Sequence, residues 1–257
     1  MLLWTVLCGI VDLLFMIPFL SSLVVRPVLR PLICHIGLLI IGQFANPRMK
    51  VDDFRRLRVK RPLNESYNPG YITFSTYSGF VDILVHGAVT QPLAFAFRSD
   101  EKGWAVFHSV LFAIYACRGR AVSVRGSSNL PRNSLVFVQS VPTNSLGLLK
   151  FKESTFGQLT QGKPFQLTKV NYYSGTFAPH HVVGSFTSHI LSLICRNWLT
   201  TVSVVSLPEP LTDTDQISSM LSRLSEPATQ TLISEESYHD FISYWNETQD
   251  VGYVKNK

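Results

Sequence analysis

Charged side chains are scarce in this chain. Asp, Glu, Lys and Arg make up 16% of its 257 residues, while 46% are hydrophobic, against a usual charged share of about 25%. That balance excludes a disordered chain, which is charge-rich and apolar-poor, as well as a coiled coil and collagen. Cysteine is sparse as well: Cys8, Cys34, Cys117 and Cys195 form no CxxC pair, so neither a disulfide framework nor a structural zinc site is expected. There is no internal repeat and no low-complexity tract. No GxGxxG, Walker A, GxSxG or HExxH pattern occurs, which removes the nucleotide, hydrolase and zinc-peptidase readings that rest on those motifs. His180 and His181 follow Pro179 without metal-ligand spacing to other Cys, His or Asp residues, and no metal is expected.

What the chain does have is a long apolar run at its start. Residues 1 to 25 hold one charge, Asp12, and are long enough to cross a hydrocarbon core that takes about 20 helical residues. Arg26, Pro27, Arg30 and Pro31 interrupt the run, and a second apolar stretch, Leu32 to Ala45, ends at Asn46-Pro47. That stretch is short for a full span, so residues 1–46 read as a membrane hairpin, with prolines bending its ends. Arg48, Lys50, Arg55, Arg56, Arg58, Lys60 and Arg61 follow. Basic residues beside a membrane segment stay cytosolic and attract anionic headgroups; residues 47–70 therefore read as a basic linker and the rest as a cytosol-facing domain. A cleaved signal peptide is the alternative, but no basic n-region precedes the run. The net charge of +6 permits nucleic-acid binding, yet no aromatic-interleaved or zinc-spaced motif supports it; no nucleic-acid partner is expected. The acceptor patterns at Asn64 and Asn246 need a luminal domain and are chance matches on this reading.

Strand signals fall at Tyr71 to Ser75, Leu93 to Arg98, Ala121 to Arg125, Leu135 to Gln139, Phe165 to Tyr172 and Thr201 to Leu207. Helical spacing marks Gly79 to Ala88, Trp104 to Ala116 and Ser185 to Trp198. Alternating strands and helices predict an α/β fold with a mostly parallel central sheet flanked by helices. The domain is expected over residues 71–225, and 226–257 as a short helix, near Glu235 to Tyr244, with a charged tail.

Four short patterns carry chemistry. Tyr77-Ser-Gly-Phe-Val-Asp82 spans a strand-to-helix turn, and Ala121-Val-Ser-Val-Arg125 is a strand ending in a cation. Phe137-Val-Gln139-Ser-Val leads to Thr143-Asn144 and then to Phe151-Lys152, and Pro164-Phe-Gln166-Leu167 opens a strand ending at Tyr172. Their order and spacing resemble the glycerolipid acyltransferase superfamily, and within it the lysophosphatidylcholine acyltransferase and ancient ubiquitous protein branch. The resemblance covers about residues 1 to 225 and implies an acyltransferase-like α/β domain behind a membrane hairpin, at the endoplasmic reticulum or lipid droplet. It implies that Arg125, Gln139, Thr143 and Asn144 lie on the substrate, with a lysophospholipid or acyl-CoA in the groove.

The departures bear on activity. The family's histidine-x4-aspartate pair has a general base where this chain has Tyr77, five positions before Asp82. Tyrosine, with a reference pKa of about 10, keeps its proton at neutral pH and cannot take one from an acceptor hydroxyl. The family's Phe-Pro-Glu-Gly-Thr motif is here Phe-Val-Gln-Ser-Val, so its acid is the amide Gln139. Two losses imply a fold kept without its catalysis, acting as a lipid-binding or scaffolding module with no bound cofactor. The alternative is an active lysophospholipid acyltransferase with acyl-CoA as co-substrate and an altered site. In that case His86, one helical turn after Asp82, is the replacement base to consider.

Overall fold

The computed structural model describes residues 28–45, 50–51, 70–99, 103–116, 130–139, 141–143, 147–151, 154–172, 185–196, 200–207, 210–224, 229–234, 237, 240–241 and 243–244. In chain order the elements are α1 (Arg30–Ile40), β1 (Gln43–Ala45), β2 (Lys50–Val51), β3 (Ile72–Ser75), α2 (Phe80–Val89), β4 (Ala94–Ser99), β5 (Gly103–Phe107) and α3 (Val110–Ala116). They continue with β6 (Ser134–Phe137), β7 (Gly147–Lys150), α4 (Ser154–Thr160), β8 (Phe165–Tyr172), α5 (Phe186–Arg196), β9 (Thr200–Ser206), a 3₁₀ turn (Thr214–Gln216), α6 (Ile217–Arg223) and β10 (Thr229–Ser234).

The sheet runs β1-β9-β8-β3-β6-β4-β5, with β2 following β1 along the same edge of β9. Its centre is parallel: β3 lies between β8 and β6, and β6 pairs with β4. The antiparallel pairs β8-β9 and β4-β5 border that centre. β7 and β10 form a small separate parallel sheet. The fold is therefore α/β with a mostly parallel central sheet flanked by helices, as the strand and helix signals predict.

Period-two alternation sorts the strand residues between two layers. Phe74, Ala96, Val136, Phe165, Leu167 and Val205 face one way and meet Phe156 of α4 and Ile217 and Leu221 of α6. Phe95, Leu135, Phe137, Val170, Val202 and Val204 face the other way, toward α1, α2, α3 and α5. Helix α2 is the centre of this second layer. From Phe80 to Ala88 every residue is buried, the pattern of a helix with no water-facing stripe. Each large apolar side chain buried there contributes about 1.5–3 kcal/mol.

Residues 30–45 overturn the hairpin's second arm. They form α1 and β1, and Cys34, Leu38, Ile41 and Ala45 pack on Val81, Leu84, Val85 and Val202. Buried Arg30 places Nη1 on the carbonyl of Pro92 and its guanidinium 5.1 Å from the centre of the Phe95 ring. Among the described residues, no helix is long and apolar enough to cross a membrane. Residues 1–25 and most of the basic run lie outside the described residues, as does the expected strand Ala121 to Arg125. A second correction concerns Trp104 to Ala116, where β5 precedes the helix. Phe97, Ala96 and Phe95 pair with Ala105, Val106 and Phe107 across an antiparallel ladder, and α3 starts only after Ser109, whose Oγ accepts from the Phe112 N–H at 3.3 Å. Strand pairing also extends beyond residues 71–225, to β1 and β2 before it and β10 after it.

One glycine sets the approach of α1 to α2. A Cβ on Gly87 would lie 2.6 Å from the Cys34 Sγ, inside any tolerable contact. Alanine is favoured over glycine in a helix by about 1 kcal/mol, whereas overpacking a closed core costs about 1–3 kcal/mol. The second effect wins: Gly87→Ala is expected to destabilise the domain by about 1–2 kcal/mol in urea titrations, and Gly87→Ala with Cys34→Ala to recover most of the loss. An unchanged midpoint for the single variant would contradict the close approach.

Candidate functional site

The parallel strands β3, β6 and β8 all end on the same side of the sheet, and Tyr77, Asp82, Gln139 and Thr143 gather there. The chain leaves β3 toward β4 through α2 in one layer, and leaves β6 toward β8 through α4 in the other. Neighbouring strands whose connections depart to opposite sides open a crevice at their carboxyl ends, the usual ligand position in open α/β sheets. Gly79, at φ 154° and ψ −173°, makes the turn into α2 in a backbone region essentially restricted to glycine.

Asp82 is the third residue of α2 and is wholly buried. Its Oδ2 accepts from the Ser78 N–H at 2.5 Å, and its Oδ1 accepts from the hydroxyl of Tyr172, at the end of β8. The carboxyl therefore caps α2, satisfying a backbone donor ahead of its first turn, and ties the helix to the sheet. Burial pushes its pKa up from 3.8 to about 7, against the opposing pull of the Tyr172 and Ser78 hydrogen bonds. Burial and the neighbouring carboxylate hold the Tyr172 hydroxyl well above its ordinary range, so it remains a donor.

His86, one turn on, does not pair with Asp82. Its Nε2 meets the Ser75 Oγ at 3.1 Å and its Nδ1 meets the Thr90 Oγ1 at 3.3 Å; the Thr90 hydroxyl also donates to the His86 carbonyl at 3.1 Å. Burial lowers the pKa of His86 to about 3, so the imidazole is neutral at physiological pH. A serine beside a histidine is the arrangement of an activated nucleophile, but here the third partner is a hydroxyl in place of a carboxylate. Ser75 and His86 are both fully buried. The Ser75-His86-Thr90 chain joins the central strand to α2 and satisfies groups that would otherwise be costly to bury.

Tyr77 directs its ring into the aromatic core, 5.4 Å from Phe97 and 5.1 Å from Phe137 between centroids. Its carbonyl accepts from the Thr143 N–H at 3.0 Å and from the Thr143 hydroxyl at 3.3 Å, which fixes the loop after β6 against the loop after β3. Gln139, two residues beyond β6, is wholly buried, and neither atom of its amide has a hydrogen-bond partner within the chain. Arg125 and Asn144 lie outside the described residues. Thus Tyr77, Asp82, Gln139 and Thr143 are brought to one end of the sheet, while His86 is committed one turn deeper. Sequence reading missed Ser75, Thr90 and Tyr172 as partners. Ser75 and Thr90 sit eleven residues before and four after His86, but Tyr172 is ninety residues from Asp82 and only the sheet order joins them. A cavity of about 390 Å³ lies elsewhere, lined by Tyr71, Leu130, Arg132, Lys163 and Pro164 at the amino ends of the same strands. It shares no residue with the group around Asp82.

The two displaced titrations act on stability with opposite signs. Between about pH 4 and 7 the folded chain holds a proton on Asp82 that the unfolded chain releases, so this contribution is complete below pH 4 and is lost as pH rises toward 7. Between about pH 3 and 6.5 the unfolded chain protonates His86 and the folded chain does not. That contribution is complete above pH 6.5 and is lost as pH falls toward 3. Across the shared window the two opposing slopes cancel. The pair should therefore add no net slope to unfolding free energy between pH 4.5 and 6. Asp82→Asn should tilt the wild-type profile so that stability rises more with pH, by about 1.4 kcal/mol per unit, and His86→Gln should tilt it equally the other way. Urea titrations at stepped pH measure this; parallel profiles for the two variants would contradict the burial of both groups. No protein-family model, curated protein or solved structure matches this chain.

Proposed function

We propose that the chain is a membrane-anchored, glycerolipid acyltransferase-like module that holds a lipid at the carboxyl ends of β3 and β6 without transferring its acyl chain. The observation that carries this reading is the fate of position 77. Where the resembling family needs a base, the side chain is a tyrosine packed between Phe97 and Phe137. Neither Asp82 nor His86 takes its place. The Asp82 carboxyl is buried and bonded to Ser78 and Tyr172, and both nitrogens of His86 are engaged. A proton acceptor must reach the substrate hydroxyl within about 3 Å, and these groups face inward.

Gln139 supports the binding half of the proposal. A buried amide without partners costs about 1–3 kcal/mol; Gln139 is as fully enclosed as Asp82, so a hydroxyl, which donates and accepts, satisfies its N–H and carbonyl only when this end of the sheet opens to admit it. A lysophospholipid brings such a hydroxyl. Residues 1–25 supply the anchor, and the basic residues from Arg48 to Arg61 keep the domain on the cytosolic side. A lipid-droplet location rests on a hairpin whose second arm is α1 and β1, so the endoplasmic reticulum bilayer is the better match.

Membranes carrying the wild-type chain are expected to crosslink a photoactivatable lysophospholipid while transferring no acyl group from labelled acyl-CoA. Gln139→Leu should reduce crosslinking several-fold. Transfer activity gained by Tyr77→His would show that only the base is missing. Transfer by the wild type that disappears in Asp82→Asn would overturn the proposal and make Asp82 the catalytic group.

A further inference from the structure

Helices α1, α3 and α5 cover α2 on the side away from the sheet, through contacts of Cys34 and Leu38, of Val110 and Ile114, and of Phe186 with Phe80. A surface helix normally turns polar residues to water on its other side. These three do not. In α1, Leu32, Leu39 and Ile40 are exposed; in α3, Phe112 and Tyr115; in α5, Leu191, Ile194 and Cys195. Spacings of seven and eight residues from Leu32 in α1, three in α3, and three and four in α5 place each set on one outward side, and Phe112, Leu191 and Leu32 are 64%, 52% and 51% exposed. Each helix thus packs one apolar side on α2 and exposes further apolar residues on its outer side.

Charge identifies what the outer sides face. None of the three helices contains an Asp or Glu, and α3 contains no charged residue at all. Cations flank them in sequence: Arg26 before α1, Arg48 and Lys50 after β1, Arg118 and Arg120 after α3, and Arg196 at the end of α5. Helices that hold no acid and are flanked in sequence by cations match the boundary between anionic headgroups and acyl chains. The apolar run of residues 1–25 also ends just ahead of α1, so a chain anchored by that run has this layer at the membrane surface.

We infer that the outward stripes of α1, α3 and α5 form a docking face that lies in the headgroup region of an anionic bilayer. The inference rests on the membrane-anchored reading above and adds to it the side of the domain that meets the lipid. Its consequence is that the sheet stands over the membrane with α2 between it and the bilayer.

The test uses the full chain with Cys8→Ser and Cys117→Ser, labelled at exposed Cys195 with a polarity-sensitive fluorophore, in vesicles of phosphatidylcholine and phosphatidylserine. A control label sits at Lys163→Cys with Cys195→Ser, on the exposed rim at the amino end of β8. Spin-labelled lipid should quench the Cys195 label at least threefold more than the control, and aqueous iodide should quench it less. The same result is expected for a label at Phe112→Cys. A chain that floats with the vesicles but leaves both face labels open to iodide overturns the docking face and spares the anchor. Protection from iodide without quenching by lipid shows that protein covers the stripes, either a second copy or residues 1–25, and overturns it too. Failure to float overturns the anchor itself, and the docking face with it.

Discussion

A helix with no side for water must be enclosed, and α2 imposes that requirement on everything around it. The sheet covers it from one direction and α1, α3 and α5 from the others. Because Asp82 and His86 ride on this helix, both are removed from water. Each then needs its hydrogen bonds from inside the fold. Ser75 supplies one from the central strand, Thr90 one from the helix end, Ser78 one from the turn and Tyr172 one from the far end of β8. The polar residues of this region are consequences of enclosing α2, and their chemistry follows from that enclosure: a carboxyl that keeps its proton longer and an imidazole that refuses one.

The same enclosure bears on Tyr77. Its ring is part of a cluster with Phe95, Phe97 and Phe137 that fills the layer beneath α2 and α3. Tyr77, five positions before Asp82, is thus a core residue, and aromatic pairs of this kind contribute about 0.5–1.5 kcal/mol beyond the area they bury. At the carboxyl end of the sheet the side chains of Tyr77, Asp82 and Gln139 are turned to the interior.

Much of this was legible from residue order. β8 spans the predicted Phe165 to Tyr172, and α2 differs from its predicted bounds by one residue at each end. The four-residue gap between Tyr77 and Asp82 placed both at a strand-to-helix turn, where they are found. Leu32 to Ala45 misled because hydropathy measures removal from water and does not distinguish lipid from protein interior; a run of 10–14 apolar residues is more often a core helix than a membrane arm. What decides it is the pairing of Gln43 with Thr200, invisible to any local window. Trp104 to Phe107 misled for a related reason: a continuous apolar run lacks the period that separates strand from helix. The Asp82–Tyr172 bond and the orphaned Gln139 amide depend on which strands become neighbours, and strand order is not a local property.

That long-range pairing also has a temporal side. Gln43 and Thr200 are 157 residues apart in the chain, so β1 has no partner until residue 200 has left the ribosome. At a synthesis rate of about 5–20 residues per second that wait lasts about 8–30 seconds. Until α2 is made Cys34, Leu38 and Ile41 are uncovered, and for the whole of the wait α1 and β1 lack the cover of β9. The beginning of the domain is thus paired late, and the nascent chain presents an apolar helix to chaperones, or to the membrane beside it, well before the sheet can close over it.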